Sequence, residues 1–271
     1  MRVILFLTGL ILSVATASCQ SDKESVKPEP EKKQQVRIMA YNIHHGEPLN
    51  STNGRINLEG IAAVIREQNP DLVALQEVDV NTNRAGVNQA EELAKMLGME
   101  FYFSKSINYQ GGEYGVAVLS KYPIKATKRL ELPNNANGEQ RTLAIATVEL
   151  PNKKLLDFAS THLDLVVQNR LDQAERLNQL AKDSTNPLIV AGDLNAAPTA
   201  AEIVLLNKEY VFACQGNGCP FTYPADKPHI AADYIIQSKK ASTLLTRLAY
   251  TAITNKYDSD HLPVLGIYNL N

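Results

Sequence analysis

Five polar side chains stand where apolar runs stop. Asn42 closes Arg37-Ile-Met-Ala-Tyr-Asn, Glu77 closes Leu72-Val-Ala-Leu-Gln-Glu and His162 closes Phe158-Ala-Ser-Thr-His. Asp193 and Asn195 close Leu188-Ile-Val-Ala-Gly-Asp-Leu-Asn. Strand ends that converge on one sheet edge are where ligands bind in α/β proteins. A carboxylate such as Glu77 offers the hard oxygen that a divalent cation prefers. Asp193 and Asn195 are two apart, so on an extended segment both side chains point to one side. The bland alternative is an Asx turn after a buried strand.

These groups need strands beneath them, and the β-branched and apolar runs supply them. The runs are Val36 to Tyr41, Leu72 to Gln76, Val116 to Leu119, Thr142 to Leu150, Leu155 to Ser160, Leu188 to Ala191, Tyr234 to Ile236 and Leu262 to Tyr268. Helical spacing covers Leu58 to Gln68, stopped by Asn69-Pro70, and Gln89 to Leu97, stopped by Gly98. It recurs at Asn169 to Lys182 and Ala200 to Leu206. The runs 142–150 and 155–160 are joined by Pro151-Asn-Lys-Lys and must form a hairpin. The class is α+β, with a mixed sheet system covered by helices.

The 271 residues carry 27 Lys+Arg against 29 Asp+Glu and are 44% hydrophobic, a composition that excludes disorder, collagen-like repeats and a membrane bundle. A net charge of −2 lacks the basic excess that tracks a phosphate backbone, so nucleic acid is not favoured unless a local basic patch exists. Arg2, the apolar run Val3 to Leu12 and the small residues Ser13 to Ser18 read as a secretory signal over 1–18. Cleavage after Ala17 gives a secreted protein, whereas cleavage before Cys19 gives a lipidated one. Residues 19–35, rich in Lys, Glu and Pro, read as a disordered tether. The remaining 36–271 is one domain, expected to be a monomer. Its Cys214 and Cys219 are expected to form a local disulfide, with zinc the weaker reading.

Two short stretches near the N-terminus add to this. Thr16-Ala-Ser-Cys19 resembles a bacterial lipoprotein box, with Thr16 where the usual pattern has Leu, and Ser21-Asp-Lys-Glu24 resembles the export signal of surface lipoproteins in Bacteroidetes-type bacteria. The expected location is the cell envelope, lipid-anchored through Cys19 to the outer membrane on its periplasmic or surface face, or else secreted.

The motif series as a whole is more telling. Met39-Ala-Tyr-Asn-Ile, Leu75-Gln-Glu-Val-Asp, Gly115-Val-Ala-Val-Leu-Ser-Lys-Tyr-Pro-Ile, Gln140-Arg-Thr, Ser160-Thr-His-Leu-Asp, Gly192-Asp-Leu-Asn, Asp233-Tyr-Ile and Ser259-Asp-His-Leu-Pro-Val resemble, in this order, the endonuclease/exonuclease/phosphatase superfamily. The resemblance implies a four-layer sandwich: two mixed β-sheets face to face with helices outside. It also implies hydrolysis of a phosphate ester with Mg²⁺, or alternatively Mn²⁺, by in-line attack of water. Glu77 would be the main metal ligand, with Asn42 and Asp260 beside it. His261, paired with Asp233, would face the phosphate as an imidazolium. Asp193 would align or deprotonate the water, and Asn195 and His162 would bind phosphoryl oxygens. Tyr114 and Arg141 would add a phenol and a guanidinium there.

Substrate choice falls to the loops. His44, sharing a face with Asn42 by alternation, is a candidate for phosphate or a second metal. Arg170, beside Gln173 at the start of a helix, is a candidate substrate contact or a brace for that helix. The favoured reading is an extracytoplasmic phosphoesterase acting on a phospholipid headgroup or small ester, and the alternative is a secreted metal-dependent nuclease.

Overall fold

The computed structural model describes residues 34–271. The expected leader, Cys19 and the tether up to residue 33 lie outside the described residues. In chain order the elements are β1 (Gln35–Asn42), α1 (Leu58–Gln68), β2 (Leu72–Val80), α2 (Gln89–Leu97), β3 (Glu100–Tyr109), β4 (Gly112–Ser120), β5 (Ile124–Glu131), β6 (Thr142–Glu149) and β7 (Leu155–His162). There follow α3 (Val167–Asp183), β8 (Leu188–Asp193), α4 (Ala201–Leu206), β9 (Tyr210–Phe212), β10 (Asp233–Ser238), α5 (Lys239–Leu244), β11 (Leu245–Ala252) and β12 (Val264–Leu270).

Two six-stranded sheets result, one ordered β11-β12-β1-β2-β4-β3 and the other β5-β6-β7-β8-β10-β9. Each is mixed, because β1 runs parallel to β2 and β7 parallel to β8 while the other pairings are antiparallel. The period of two along each strand assigns its side chains to layers. From β1, Val36, Ile38 and Ala40 enter the core between the sheets, where they meet Phe158, Ile189 and Ile235. The alternate residues Met39 and Tyr41 pack beneath α1 and α2, against Ile61, Ile65 and Leu93. On the far face Ala159 and Val190 meet Leu177 of α3 and Leu206 of α4. The architecture is therefore the expected α+β sandwich, helix on sheet on sheet on helix. Each fully buried Leu, Ile or Phe contributes about 1.5–3 kcal/mol to it.

The helix ends follow local chemistry. Asn57 and Asn88 cap α1 and α2 by accepting from the N–H of Gly60 and Glu91, and left-handed Asn69 and Gly98 end them. The hairpin of β6 with β7 is present, as is the disulfide between Cys214 and Cys219.

Four strands were not expected from the pattern: β3, β5, β9 and β11. They form the two edges of each sheet. In β5 most side chains are exposed, including Lys125, Lys128 and Arg129, so no alternation betrays it.

At one end of the sandwich polar groups tie the sheets together. Gln76 of β2 donates to Ser160 Oγ of β7 at 2.9 Å, and Ser160 Oγ donates to the Leu75 carbonyl at 2.8 Å. This seam lies directly under the residues on which the chemistry depends.

Candidate active site

The sheet registers place His162, Asp193 and Asp233 in a row. His162 pairs with Asp193 across the parallel β7–β8 ladder, and Asp193 pairs with Asp233 across the antiparallel β8–β10 ladder. From the opposite sheet Asn42 ends β1 and reaches across, its Nδ2 donating to Glu77 Oε1 at 3.1 Å and to Asp193 Oδ2 at 3.2 Å. Asn42 Oδ1 accepts the backbone N–H of His44 at 3.1 Å. The amide thus presents nitrogen, rather than the expected metal-binding oxygen, to the carboxylates.

Glu77 does not end its strand, as the apolar run suggested. β2 continues to Val80 past a bulge between Leu75 and Val78, and Glu77 sits in that bulge at φ 58°. A bulge re-aims one side chain out of the pleat, and a non-glycine residue in the left-handed region stores strain of about 1–3 kcal/mol. Burial pushes the Glu77 carboxyl up. The Asn42 amide hydrogen bond and the neighbouring imidazoles of His45, His162 and His44 outweigh it and hold the group well below the usual carboxylate range.

Asp260 and His261 arrive on the loop before β12. Ser259 fixes that loop, donating to the Asn42 carbonyl at 2.7 Å and accepting from the His261 N–H at 3.2 Å. His261 Nδ1 lies 2.9 Å from Asp233 Oδ2, and its Nε2 lies 3.6 Å from Asp193 Oδ2. Burial disfavours an imidazolium there, yet the charges of Asp233, Asp193 and Asp260 together raise the His261 pKa to about 10. Asp193, fully buried, is pushed up to about 7 by its burial, which the nearby imidazolium of His261 opposes. His162 Nε2 approaches the same Asp193 oxygen at 3.5 Å. Its own pKa falls to about 3 through burial and the adjacent Arg141, so the ring is neutral.

These side chains surround a cavity of about 470 Å³ lined by Glu77, Tyr114, Glu139, Arg141, His162, Asp193, Asn195, Tyr223, Asp260 and His261, with Leu165 and Ile230 among its apolar contributors. Four of these lining residues are carboxylates, and the one guanidinium, Arg141, is paired with Glu139 at 3.1 Å. Glu77 and Asp260 both turn carboxylate oxygens to this space, and such oxygens fit a hard divalent cation.

Two expectations are corrected by the geometry. Asn195 is not on an extended segment: it lies at φ 49°, its N–H donates to Asp193 Oδ1 at 2.8 Å, and its side-chain amide donates to the Leu163 carbonyl at 2.9 Å. The Asx turn is what places it at the cavity wall. Arg170 is not a wall residue. Its guanidinium pairs with Glu202 of α4 and donates to the carbonyls of Asp164 and Leu165, and Gln173 donates to the Pro133 carbonyl, so both brace the helix.

The alternation argument at His44 also fails, because the chain turns there. His44 and His45 occupy a short 3-10 turn, and the buried His45 is the nearer to Glu77, with Nδ1 at 3.9 Å from Oε2. His45, Glu139 and Tyr223 were missed at the sequence level. Tyr223 packs on the His261 ring at 4.7 Å between centroids, and no spacing in the sequence announces that contact. His45 was announced by its neighbour, but only the turn makes it the inner of the two.

Comparison with known proteins places the chain among phosphoesterase-fold relatives. The chain is 27% identical over 253 residues to an uncharacterised protein of Escherichia coli K12, covering 87% of this chain and 97% of that one. It is 26% identical over 200 residues to a DNA-(apurinic or apyrimidinic site) endonuclease of Dictyostelium discoideum, covering 69% of this chain but 49% of that protein. A mannosyl-6-phosphatase structure from Bacteroides thetaiotaomicron shares the fold with a TM-score of 0.68 at 15% identity, covering 85% of this chain and 98% of the other. Residues 39–261 match the Endonuclease/Exonuclease/phosphatase family itself. With that match spanning most of the chain, the protein belongs to this family and is a phosphoester hydrolase dependent on a divalent metal ion.

Proposed function

We propose that the chain is an extracytoplasmic Mg²⁺-dependent phosphoesterase that cleaves a small phosphate ester or a phospholipid headgroup by in-line attack of water. The observation that carries this reading is the wall of the cavity. Apart from Arg141, which is held by Glu139, the lining residues include no Lys or Arg to follow a nucleic-acid backbone. Leu165 and Ile230, on two different loops, are exposed beside it and suit an apolar portion of the substrate.

Glu77 and Asp260 would hold the ion, which neutralises charge on the phosphoryl oxygens and leaving group when bound. Asp193 would take the proton of the attacking water, and its pKa of about 7 supports a general-base role. The imidazolium of His261, held by Asp233, stabilises charge developing on the phosphoryl group. Neutral His162, Tyr114 and Asn195 contribute polar walls, and Arg141 adds a fixed positive charge. As phosphorus gains the water oxygen it loses the ester oxygen on the opposite side, so no covalent enzyme intermediate is needed.

The extracytoplasmic location is supported by the secretory pattern of 1–18 and by a disulfide suited to an oxidising compartment. Attachment through Cys19 fits the same reading.

The test is hydrolysis by the purified chain, with Mg²⁺ and with chelator. The panel holds plasmid DNA, RNA, sphingomyelin, phosphatidylinositol phosphates, a sugar phosphate and a chromogenic phosphodiester. Selective Mg²⁺-dependent release from a lipid or small ester is expected. Plasmid nicking at comparable enzyme levels would replace this reading with that of a secreted nuclease.

A further inference from the structure

The turn after β1 carries side chains that this mechanism leaves unused. His44 and His45 both lie in the left-handed region, at φ 45° and 43°. Consecutive side chains of an extended chain diverge to opposite faces. Here both rings line one small cavity of about 230 Å³, together with Glu77, Tyr114 and Glu139, and they meet edge to face at 4.4 Å. The turn is firmly built. Buried Gln89 donates to the His45 carbonyl at 2.6 Å and accepts from the Asp79 N–H at 2.9 Å, and the Gly46 carbonyl accepts from Asn57 at 2.7 Å. Two left-handed non-glycine residues cost about 1–3 kcal/mol each, which argues that their placement serves the site.

His45 is the more informative ring. It is 6% exposed, and its Nε2 lies 3.2 Å from Glu47 Oε2. Its Nδ1 is buried without a hydrogen-bond partner and lies 3.9 Å from Glu77 Oε2. A carboxylate on one ring nitrogen fixes the proton there and leaves a lone pair on the other. Two acceptors, Nδ1 and Oε2, then face each other across a gap too long for a hydrogen bond. Bonds of about 2.0–2.2 Å from each to one ion would span that gap. One ligand atom each from His44, His45 and Glu77 lie within 4.8 Å of one another.

We infer that His44, His45 and Glu77 form a second metal site, for a divalent transition-metal ion such as Co²⁺, Ni²⁺ or Zn²⁺, beside the magnesium position and sharing Glu77 with it. Two imidazoles with one carboxylate suit these ions, whereas Mg²⁺ prefers oxygen and water. Glu47 is the orienting partner of His45. Arg84 borders the same cavity, but both its charge and its plane are engaged, by Asp79 and by the Tyr109 ring. The inference rests on the proposed function only in taking Glu77 as a metal ligand.

The experiment is a Co²⁺ titration of the full chain, read by visible absorption and by proton NMR. The expected result is a d–d band with hyperfine-shifted imidazole N–H signals. His45→Ala and His44→Ala should each remove one signal and weaken Co²⁺ binding on the order of tenfold or more. Glu47→Gln changes a half-buried surface group, so it tests the same point without risk to the fold, and should weaken binding about tenfold. Imidazole signals that persist unchanged in both histidine variants would assign the ligands to other histidines and overturn the inference. Wild-type chain that hydrolyses esters with Mg²⁺ yet shows no imidazole-ligated Co²⁺ would overturn it alone. A chain with the cobalt signature but no hydrolytic activity would overturn the proposed function alone.

Discussion

Asn42 and Asp193 are separated by 151 positions in the chain, yet the amide of the first donates to the carboxylate of the second at 3.2 Å. With its other hydrogen on Glu77 at 3.1 Å, one neutral side chain keeps apart two carboxylates from different sheets. Asn42→Ala should lower turnover on the order of a hundredfold or more. It should also destabilise the fold by about 1–3 kcal/mol, since buried acceptors lose their donor. Asn42→Asp adds a third negative charge, so urea melts should find it more stable at acidic than at alkaline pH.

The opposed pKa values of Asp193 and His261 set a pH profile. kcat/KM should rise through about 7 as Asp193 loses its proton, and fall near 10 as His261 loses its own. The folded-state pKa of His261 lies above the ordinary 6.5, so the stability it contributes is complete below that value and lost as pH rises through about 10. Asp233→Asn removes the hydrogen-bonded carboxylate and should bring the alkaline limb down toward the ordinary imidazole range. An alkaline limb already there in the wild type would contradict the pairing.

Glu77 offers a way to separate strain from chemistry. Glu77→Ala and Glu77→Gly should both lose orders of magnitude in turnover. The glycine variant should nevertheless be the more stable by about 1 kcal/mol, because φ 58° is free of strain only for glycine. Chemical denaturation of the two proteins side by side measures this difference. The reverse order would mean that the bulge relaxes once the carboxylate is gone.

Chelation should abolish hydrolysis and added Mg²⁺ should restore it, with the fold unchanged by far-ultraviolet circular dichroism. Activity that survives exhaustive chelation would contradict the role given to Glu77 and Asp260.

Arg170 should behave as a brace. Removing it leaves Glu202, 3% exposed at its side chain, as a buried charge without its partner. Arg170→Ala is expected to destabilise the protein by about 3–5 kcal/mol, while KM measured below the melting range stays near that of the wild type. A selective rise in KM with an unchanged melting point would return Arg170 to the substrate.

What the sequence made legible depends on where each element lies. Central strands such as β1, β7 and β8 are buried on both faces, so their apolar runs stand out and their terminal polar residues identify themselves. Of the four edge strands, β3, β5 and β11 face water along much of their length, and β9 is only three residues long. Lys125, Lys128 and Arg129 on β5 read as loop because an exposed edge has no use for an apolar alternation. The site was legible in its strand-end residues and through the ordered motif series. It was illegible wherever the backbone leaves the extended region. Asn195, Glu77, His44 and His45 all have positive φ, and a period of two cannot say where such a residue points. Tyr223 was hidden for a different reason, since its packing on His261 depends on two loops meeting.

The polar seam of Gln76, Ser160 and Asn42 has a consequence for how this enzyme fails. Half of the catalytic apparatus belongs to one sheet and half to the other, joined by hydrogen bonds rather than by a continuous stretch of chain. Any excursion that parts the sheets at this end separates Glu77 from Asp193 at the same moment. Inactivation on heating should therefore coincide with loss of the sandwich, with no folded but silent species between them, and residual activity becomes a direct count of molecules whose two halves are still closed.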